Sequence, residues 1–428
     1  MTTIEDRFRL PCGVSLKNRI AKAAMTEHQA DADLLPNDRH VTLYKRWAEG
    51  GAGLLITGNV IVDRRHLEHP GNIAISSKPG DPTLKWFRAL AQAMQTGGCR
   101  AIAQLSHAGR QTPKVVNPAP LAPSGIKVAL PGEQFGQPRS MTSAQIDDMM
   151  GRFVQAAHVC SEAGFNGVQI HAAHGYLLSS FISPLTNKRS DRYGGRLENR
   201  ARPLLHICER IRAELPEDFI LSVKLNSSDF QKGGLTTEES LQIIEWLEDR
   251  GVDLLEISGG SYEQPAMMDL EGMEKRYEEG KAESTKKREA YFLEFARAVR
   301  ERSAIPLMVT GGFRTAEGMN EALNTDACDV IGLARPLCVM PDAPHKIIDG
   351  EIAELPSYDK TLALGPGLFG PRSPIKFLKA LNGFAIMAFF YENIDRLAND
   401  LEPQTEMGLL GAFLKGQRRM AKKARNLN

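Results

Sequence analysis

The stretch GVQIHAAHGYLLSSFISP (167–184) places two histidines, His171 and His174, three residues apart, with Tyr176 two further on. As metal ligands the imidazoles need a further His, Asp or Cys close by. Asp191 and Glu198 lie in the same segment, but at no recognisable ligand spacing. As core residues each would pack unremarkably, although a pair on a glycine-flanked loop fits that reading less well. As hydrogen-bond donors they hold one substrate oxygen and stabilise the negative charge that grows on it, while the Tyr176 phenol supplies a proton nearby.

Other polar groups fall at comparable points along the chain. Met25 and Thr26 end the first apolar run, Gly58 follows the second and Gln104 ends the third. Lys224 is on the fifth, Gly311 and Gly312 follow the seventh, and Arg335 follows the eighth. Taken singly, Gln104 is equally a satisfied core amide and Thr26 a β-former. The segments VTGGFRT and GLARPL supply open backbone N–H groups and an arginine, as a phosphate site needs; a ligand-free tight turn is the alternative. GPGLFG (365–370) fits G-x-G-x-x-G by letter, but no strand precedes it, so the pattern loses its phosphate-binding meaning.

The elements that must carry these groups alternate. Short apolar runs at 18–25, 52–57, 100–105, 167–172, 219–225, 252–258, 305–312 and 328–334 read as strands buried on both faces. Amphipathic segments lie between them. One opens with Thr142 and Gln145 as a capping box and stops at Gly164, and another repeats the plan with Thr236, Glu239 and Gly251. A third, LENRARPLLHICERIRAEL, aligns Leu197, Ala201, Leu204, Cys208, Ile211 and Leu215, with Pro203 early in it.

Eight βα units in sequence favour a closed (β/α)8 TIM barrel, an α/β fold whose function collects in the loops after the strands. Three such loops are long, at 106–141, 172–196 and 259–285. The barrel is expected over 1–350. Residues 351–428 form a mostly helical C-terminal extension, an interface or a lid, whose basic end KGQRRMAKKARNLN reads as a solvated helix.

The 428 residues carry 53 basic and 52 acidic side chains, a net charge of +1, so no strong field favours nucleic acid or an anionic membrane. The longest apolar stretch, FAIMAFFY, is far short of a membrane span, and the charged N-terminus lacks a signal-peptide core. The six cysteines are scattered without CxxC pairs, which suits buried thiols in a reducing, cytoplasmic setting. A small molecule is the expected partner, and a homo-oligomer is allowed.

The segments LKNRIAKAAMT, RWAEGGAGLLITGNV, AQLSHAGRQ, GFNGVQIHAAHGYLLSSFISPLTNKRSDRYGGRLENRAR, SVKLN, VTGGFRT and IGLARPL together resemble the old yellow enzyme family of FMN-dependent NAD(P)H oxidoreductases, over about the first 340 residues. The resemblance implies non-covalent FMN, with NADH or NADPH as reductant. It implies that Ala24, Met25 and Thr26 line the flavin, with the Thr26 hydroxyl on O4. Gly58 lets the ring approach, Gln104 binds the pyrimidine edge, and Gly311, Gly312, Ala334 and Arg335 hold the phosphate. His171 and His174 grip a carbonyl or nitro oxygen, Tyr176 protonates the α-carbon of an activated alkene, and His28 joins the substrate-binding set.

This chain also departs from the family pattern. Lys224 stands where an arginine is usual beside flavin N1 and O2, keeping the charge but not the two-pronged donor. Ala334 replaces a common glycine. Thr26 separates the chain from members that tune the flavin with a thiol. The iron–sulfur cysteine quartet of the dienoyl-CoA reductase branch is absent from the sequence. Readings from other classes are a Schiff-base lyase using Lys224, a metal-dependent hydrolase using His171 and His174, and a flavoprotein without turnover.

Overall fold

All eight apolar runs become strands: β1 (Ile20–Lys22), β2 (Leu54–Ile61), β3 (Arg100–Ser106), β4 (Gly167–Ala172), β5 (Ile220–Asn226), β6 (Leu254–Ser258), β7 (Leu307–Thr310) and β8 (Val330–Leu333). The computed structural model describes residues 1–75, 81–130, 134–258, 295–358 and 362–427, the last range without 366, 368, 369, 371, 372 and 374. The loop at 259–285 and half of GPGLFG therefore lie outside the described residues.

Each strand runs parallel to the next, and β8 returns to β1 through Ile331↔Ile20 and Leu333↔Lys22. The sheet is a closed eight-stranded barrel with helices between the strands. Side chains alternate across each strand, so every second residue points to the axis. Ala21, Leu54, Ile56, Ile102, Ile220, Leu254, Met308 and Val330 form one inner apolar cluster. A short antiparallel ribbon, Phe8–Arg9 with Ser15–Leu16, adds Leu10 and Leu16 to that floor. The intervening positions, such as Leu55, Val168, Ile170, Leu221 and Val223, pack outward into the main core.

Both capping boxes form. Thr142 caps the helix Ser143–Glu162 reciprocally with Gln145, and Thr236 caps Thr237–Glu248 with Glu239. Gly164 and Gly251 follow these helices at φ +87° and +67°, the left-handed backbone that glycine adopts at lowest cost. Leu197–Glu214 is helical across Pro203, which removes one N–H donor from its interior.

Strand β1 is shorter than its apolar run. Met25 and Thr26 lie beyond it, because the chain leaves the sheet and turns Glu27 toward β2, where Glu27 Oε1 accepts the Gly58 N–H at 2.8 Å. Tyr44 Oη also donates to that oxygen. Behind the strand, Lys22 is fully buried, donates to the Ile56 carbonyl at 2.8 Å, and lies 4.5 Å from the centroid of the Trp47 ring. Burial pulls its ammonium down to about 8.

The C-terminal region is helical at Lys376–Ala398 and Leu409–Leu427. The first of these packs on Asp38–Glu49 and on Arg335–Val339, and its Phe389, Phe390 and Ile394 belong to the same core as the barrel. The basic end is a helix, as its sequence suggests, but it is not simply solvated. Lys415 and Arg419 pair with the buried Glu392, Arg419 also meets Asp395 at 2.5 Å, and Lys423 donates to the Ala30 carbonyl.

A side chain at Gly58 would meet the Met25 carbonyl oxygen and Thr26 Cα at 2.5 Å, both of them backbone. Gly58→Ala is expected to cost on the order of 1–3 kcal/mol by overpacking. Urea unfolding of the variant against the parent protein checks this.

Candidate active site

Toward the C-terminal ends of the strands the inner face changes from apolar to polar. In-register pairing sets Gln104 beside Gln169, His171 beside Lys224 and Lys224 beside Glu256. Glu256 has no exposed surface, yet its carboxylate accepts from Lys224 Nζ at 2.9 Å, Thr310 Oγ1 at 2.8 Å and Gln169 Nε2 at 3.0 Å. Gln104 Nε2 donates to Gln169 Oε1 at 2.7 Å, which extends the network to β3.

Above this layer stand the groups of the opening motif. His171 is 5.1 Å from His174 and 4.8 Å from Tyr176 between ring centroids, edge to face in both cases. The Ala173 N–H donates to His171 Nδ1 at 3.2 Å, so the proton of the neutral ring sits on Nε2. His174 Nε2 is 2.6 Å from Ser258 Oγ, and its own N–H donates to Asn226 Oδ1 at 3.2 Å. Burial holds both imidazoles far below their usual range, His174 to about 3, with Lys224 acting in the same direction. They are therefore neutral at physiological pH, each ring with a single N–H to donate. His174 and His28 take left-handed backbone, at φ +61° and +59°, a conformation that costs roughly 1–3 kcal/mol and that surrounding contacts must hold.

The other sequence-derived residues reach the same rim. Ala24 and Ala334 cap the inner apolar cluster, and Met25 Sδ lies 3.5 Å from Cys338 Sγ. Arg335 opens the helix that follows β8. Gly311 and Gly312 are both left-handed, at φ +110° and +86°, and a Cβ on Gly311 would meet nothing within 4 Å. That clearance, the buried unpartnered Asn59 Oδ1 and the convergence of amide, hydroxyl and ammonium donors fit a bound FMN.

Sequence reasoning missed several site residues. Glu68, on the loop after β2, accepts from Thr26 Oγ1 at 3.1 Å and from Asn59 Nδ2. His69 stacks on His28 at 3.6 Å, and Tyr391 also stacks on His28, at 4.2 Å. These rings border a cleft of about 200 Å³ closed by the C-terminal helices. Glu68 and Tyr391 sit in ordinary polar and apolar surroundings in the chain, so no local signal marks them.

Among the described residues, the one trio of potential ligand atoms lying together is Asp63, His66 and His107, not His171 and His174. Its chemistry is wrong for a metal. His66 Nε2 accepts the Leu121 N–H and His107 Nδ1 accepts the Gly109 N–H, so the opposite nitrogens carry the protons. The two rings are stacked at 4.3 Å, and Asp63 is occupied by Arg65.

The structure is a closed parallel barrel with an apolar floor and, at the C-terminal ends of its strands, a polar mouth that holds two neutral imidazoles beside a phenol, the end at which such barrels carry their active sites. The chain matches the NADH:flavin oxidoreductase / NADH oxidase family over residues 12–353 and belongs to that family. It is an enzyme of old yellow enzyme type. It is 35% identical over 402 residues to the NADH-dependent flavin oxidoreductase iliE of Hypocrea jecorina (strain QM6a), covering 90% of this chain and 96% of that protein. Among solved structures, an old yellow enzyme homologue from Zymomonas mobilis matches with a TM-score of 0.67 at 25% identity, over 88% of this chain and 98% of that one. A 2-naphthoyl-CoA reductase in complex with 2-naphthoyl-CoA matches with a TM-score of 0.72 at 26% identity, over 82% of this chain and 53% of that one. No helix among the described residues is long and apolar enough to cross a membrane.

The neutral imidazoles make stability depend on pH. Unfolded, His171 and His174 take up protons near 6.5; folded, they do so only far lower. The folded state therefore binds fewer protons in that window, and stability rises with pH across it. The unfolding free energy is expected to fall as pH drops from 6.5 toward 3, by up to ~1.4 kcal/mol per pH unit for each imidazole. Urea unfolding at pH 7 and pH 5, with and without His171→Gln, checks the slope.

Proposed function

We propose that this enzyme reduces the activated C=C bond of α,β-unsaturated carbonyl or nitro compounds. His171 and His174 hold the carbonyl or nitro oxygen, and Tyr176 delivers the proton to the α-carbon. The observation that carries this reading is the tautomer of His171: its Nδ1 accepts a backbone N–H, which leaves Nε2–H as a neutral donor 4.8 Å, ring to ring, from a phenol that is 4% exposed. A neutral N–H donor stabilises negative charge growing on the substrate oxygen without itself giving up a proton.

FMN, when bound, supplies the hydride for the β-carbon and recovers it from NADH or NADPH. Thr26, Gly58, Gln104 and Lys224 would hold the ring, with Ala24 and Met25 beside it, and Gly311, Gly312, Ala334 and Arg335 would hold the phosphate. Lys224 brings a cation to the ring site, but its Nζ donates to Glu256, so its field there is partly cancelled. That same pairing engages the amine which a Schiff-base lyase would need free. His28 contributes a ring to the substrate side, braced by His69 and Tyr391.

The purified holoenzyme is expected to show flavin bands that bleach with NADH or NADPH without oxygen and return on addition of 2-cyclohexenone. Tyr176→Phe is expected to slow the return by about 10²–10⁴-fold while the bleaching proceeds as before. A colourless protein that FMN does not reconstitute would overturn the flavin reading, and bands that never return with any enone or nitroalkene would overturn the substrate class.

A further inference from the structure

We propose that Glu68 is a positioning residue for the Tyr176 phenol, orienting its O–H and returning its proton after each turnover. The proposal rests on the reading of Tyr176 as proton donor. The loops after β1, β2 and β4 meet at the Glu68 carboxyl through Thr26, Glu68 itself and Tyr176. Its oxygens accept from Thr26 Oγ1 at 3.1 and 3.3 Å and from Asn59 Nδ2, and Asn59 Nδ2 is itself 3.4 Å from Tyr176 Oη. Tyr176 and Glu68 are hydrogen-bonded to each other as well. The Tyr176 ring is wedged against His171, so the torsion that aims its hydroxyl hydrogen is the freedom left to it, and an acceptor on one side decides that aim.

The loop bearing Glu68 is built to hold still. The His69 N–H donates to Asn72 Oδ1 at 2.7 Å, the Gly71 N–H to His69 Nδ1 at 3.0 Å, and the Ala30 N–H to the Gly71 carbonyl at 3.0 Å. The His69 ring stacks on His28, which stacks on Tyr391 of the helix Lys376–Ala398, so that helix clamps the loop from the far side.

The charge state of Glu68 then sets what Tyr176 can do. A carboxylate beside a phenol disfavours the phenolate, whereas a carboxylic acid hydrogen-bonds the phenolate and can reprotonate it. Burial raises the Glu68 carboxyl above its ordinary range, and the nearby Glu27 carboxylate pushes the same way. Around that loop, burial also raises the Tyr391 phenol and lowers the His28 and His69 imidazoles, which keeps those three groups neutral. In the step itself the Tyr176 O–H bond breaks as its proton goes to the substrate α-carbon. The Glu68 carboxyl O–H then breaks and its proton passes to the phenolate oxygen, and the partly exposed Glu68 carboxylate is reprotonated by water. One proton is drawn from solvent and no electrons move.

The test has two readouts. In cofactor-free protein, the Tyr176 phenol is titrated by ultraviolet difference absorbance, subtracting Tyr176→Phe. Glu68→Gln is expected to lower its ionisation midpoint by about one pH unit, a tenfold change, because a neighbouring negative charge is removed, and Glu68→Asp is expected to restore part of that shift. In holoenzyme, Glu68→Gln is expected to slow enone-driven reoxidation by about 10–100-fold and to remove one limb of its pH profile, with the rate of bleaching by NADH measured separately to resolve the two half-reactions. A Tyr176 midpoint that is the same in Glu68→Gln and the parent protein, or a pH profile that keeps both limbs, would overturn the proposal. Absence of enone turnover in the parent protein would instead count against Tyr176 as donor, while the phenol titration would still report on its coupling to Glu68.

Discussion

A carboxylate without exposed surface, Glu256, governs the mouth of this barrel. A buried charge is tolerable only when paired and hydrogen-bonded, and removing a partner leaves the full desolvation penalty. Glu256 meets that condition through Lys224 on β5, Thr310 on β7 and Gln169 on β4, with Gln104 of β3 one hydrogen bond further out. The partners come from different strands, so each of them depends on strand register. A slip of one residue anywhere in β4 to β7 would turn a partner outward and strand the charge. The same network that stabilises the mouth therefore pins His171, which is in register with Lys224, at its place above it.

Above that fixed layer the working groups sit on loops. His174 adopts left-handed backbone and is held by Asn226, Ser258 and, at its carbonyl, Gln111. Two of those partners end strands β5 and β6 and the third lies on the connection after β3, which is how a strained conformation is kept without being relaxed locally. His28 also takes left-handed backbone, and its ring is stacked by both His69 and Tyr391. Rigid strands thus supply charge and register, while loops supply donors whose geometry depends on contacts across the barrel.

The C-terminal helices are part of that bracing. Tyr391 reaches the mouth from Lys376–Ala398, and Leu409–Leu427 holds that helix through Glu392 and Asp395. Its cations face acidic partners within the protein as well as solvent, so their charge is partly neutralised where a bare basic tail would be free to attract anions. The family match ends at residue 353, before either helix, so this wall of the cleft comes from residues outside the matched stretch.

The barrel and much of the site were legible in the chain itself. Eight apolar runs, two capping boxes and the glycines after them obey local rules of period and capping, and each became the element it suggested. His171, His174, Tyr176, Gln104, Lys224, Gly311 and Gly312 stood out because a parallel barrel gathers strand ends at one face, so position along a run already implies position in space. Other features were not legible, because they depend on contacts between residues far apart in the chain. The pairing of Lys224 with Glu256 follows from strand register, and the same alternation that buries Leu255 outward brings Glu256 inward beside it. The meeting of Glu68 with Thr26, Asn59 and Tyr176 needs three loops folded over one another. Tyr391 looked like one more apolar position of a long helix, and only the packing of that helix on the barrel turned its ring toward His28. Periodicity and capping are properties of neighbours in sequence, whereas charge pairing, ring stacking and proton-donor orientation belong to neighbours in space.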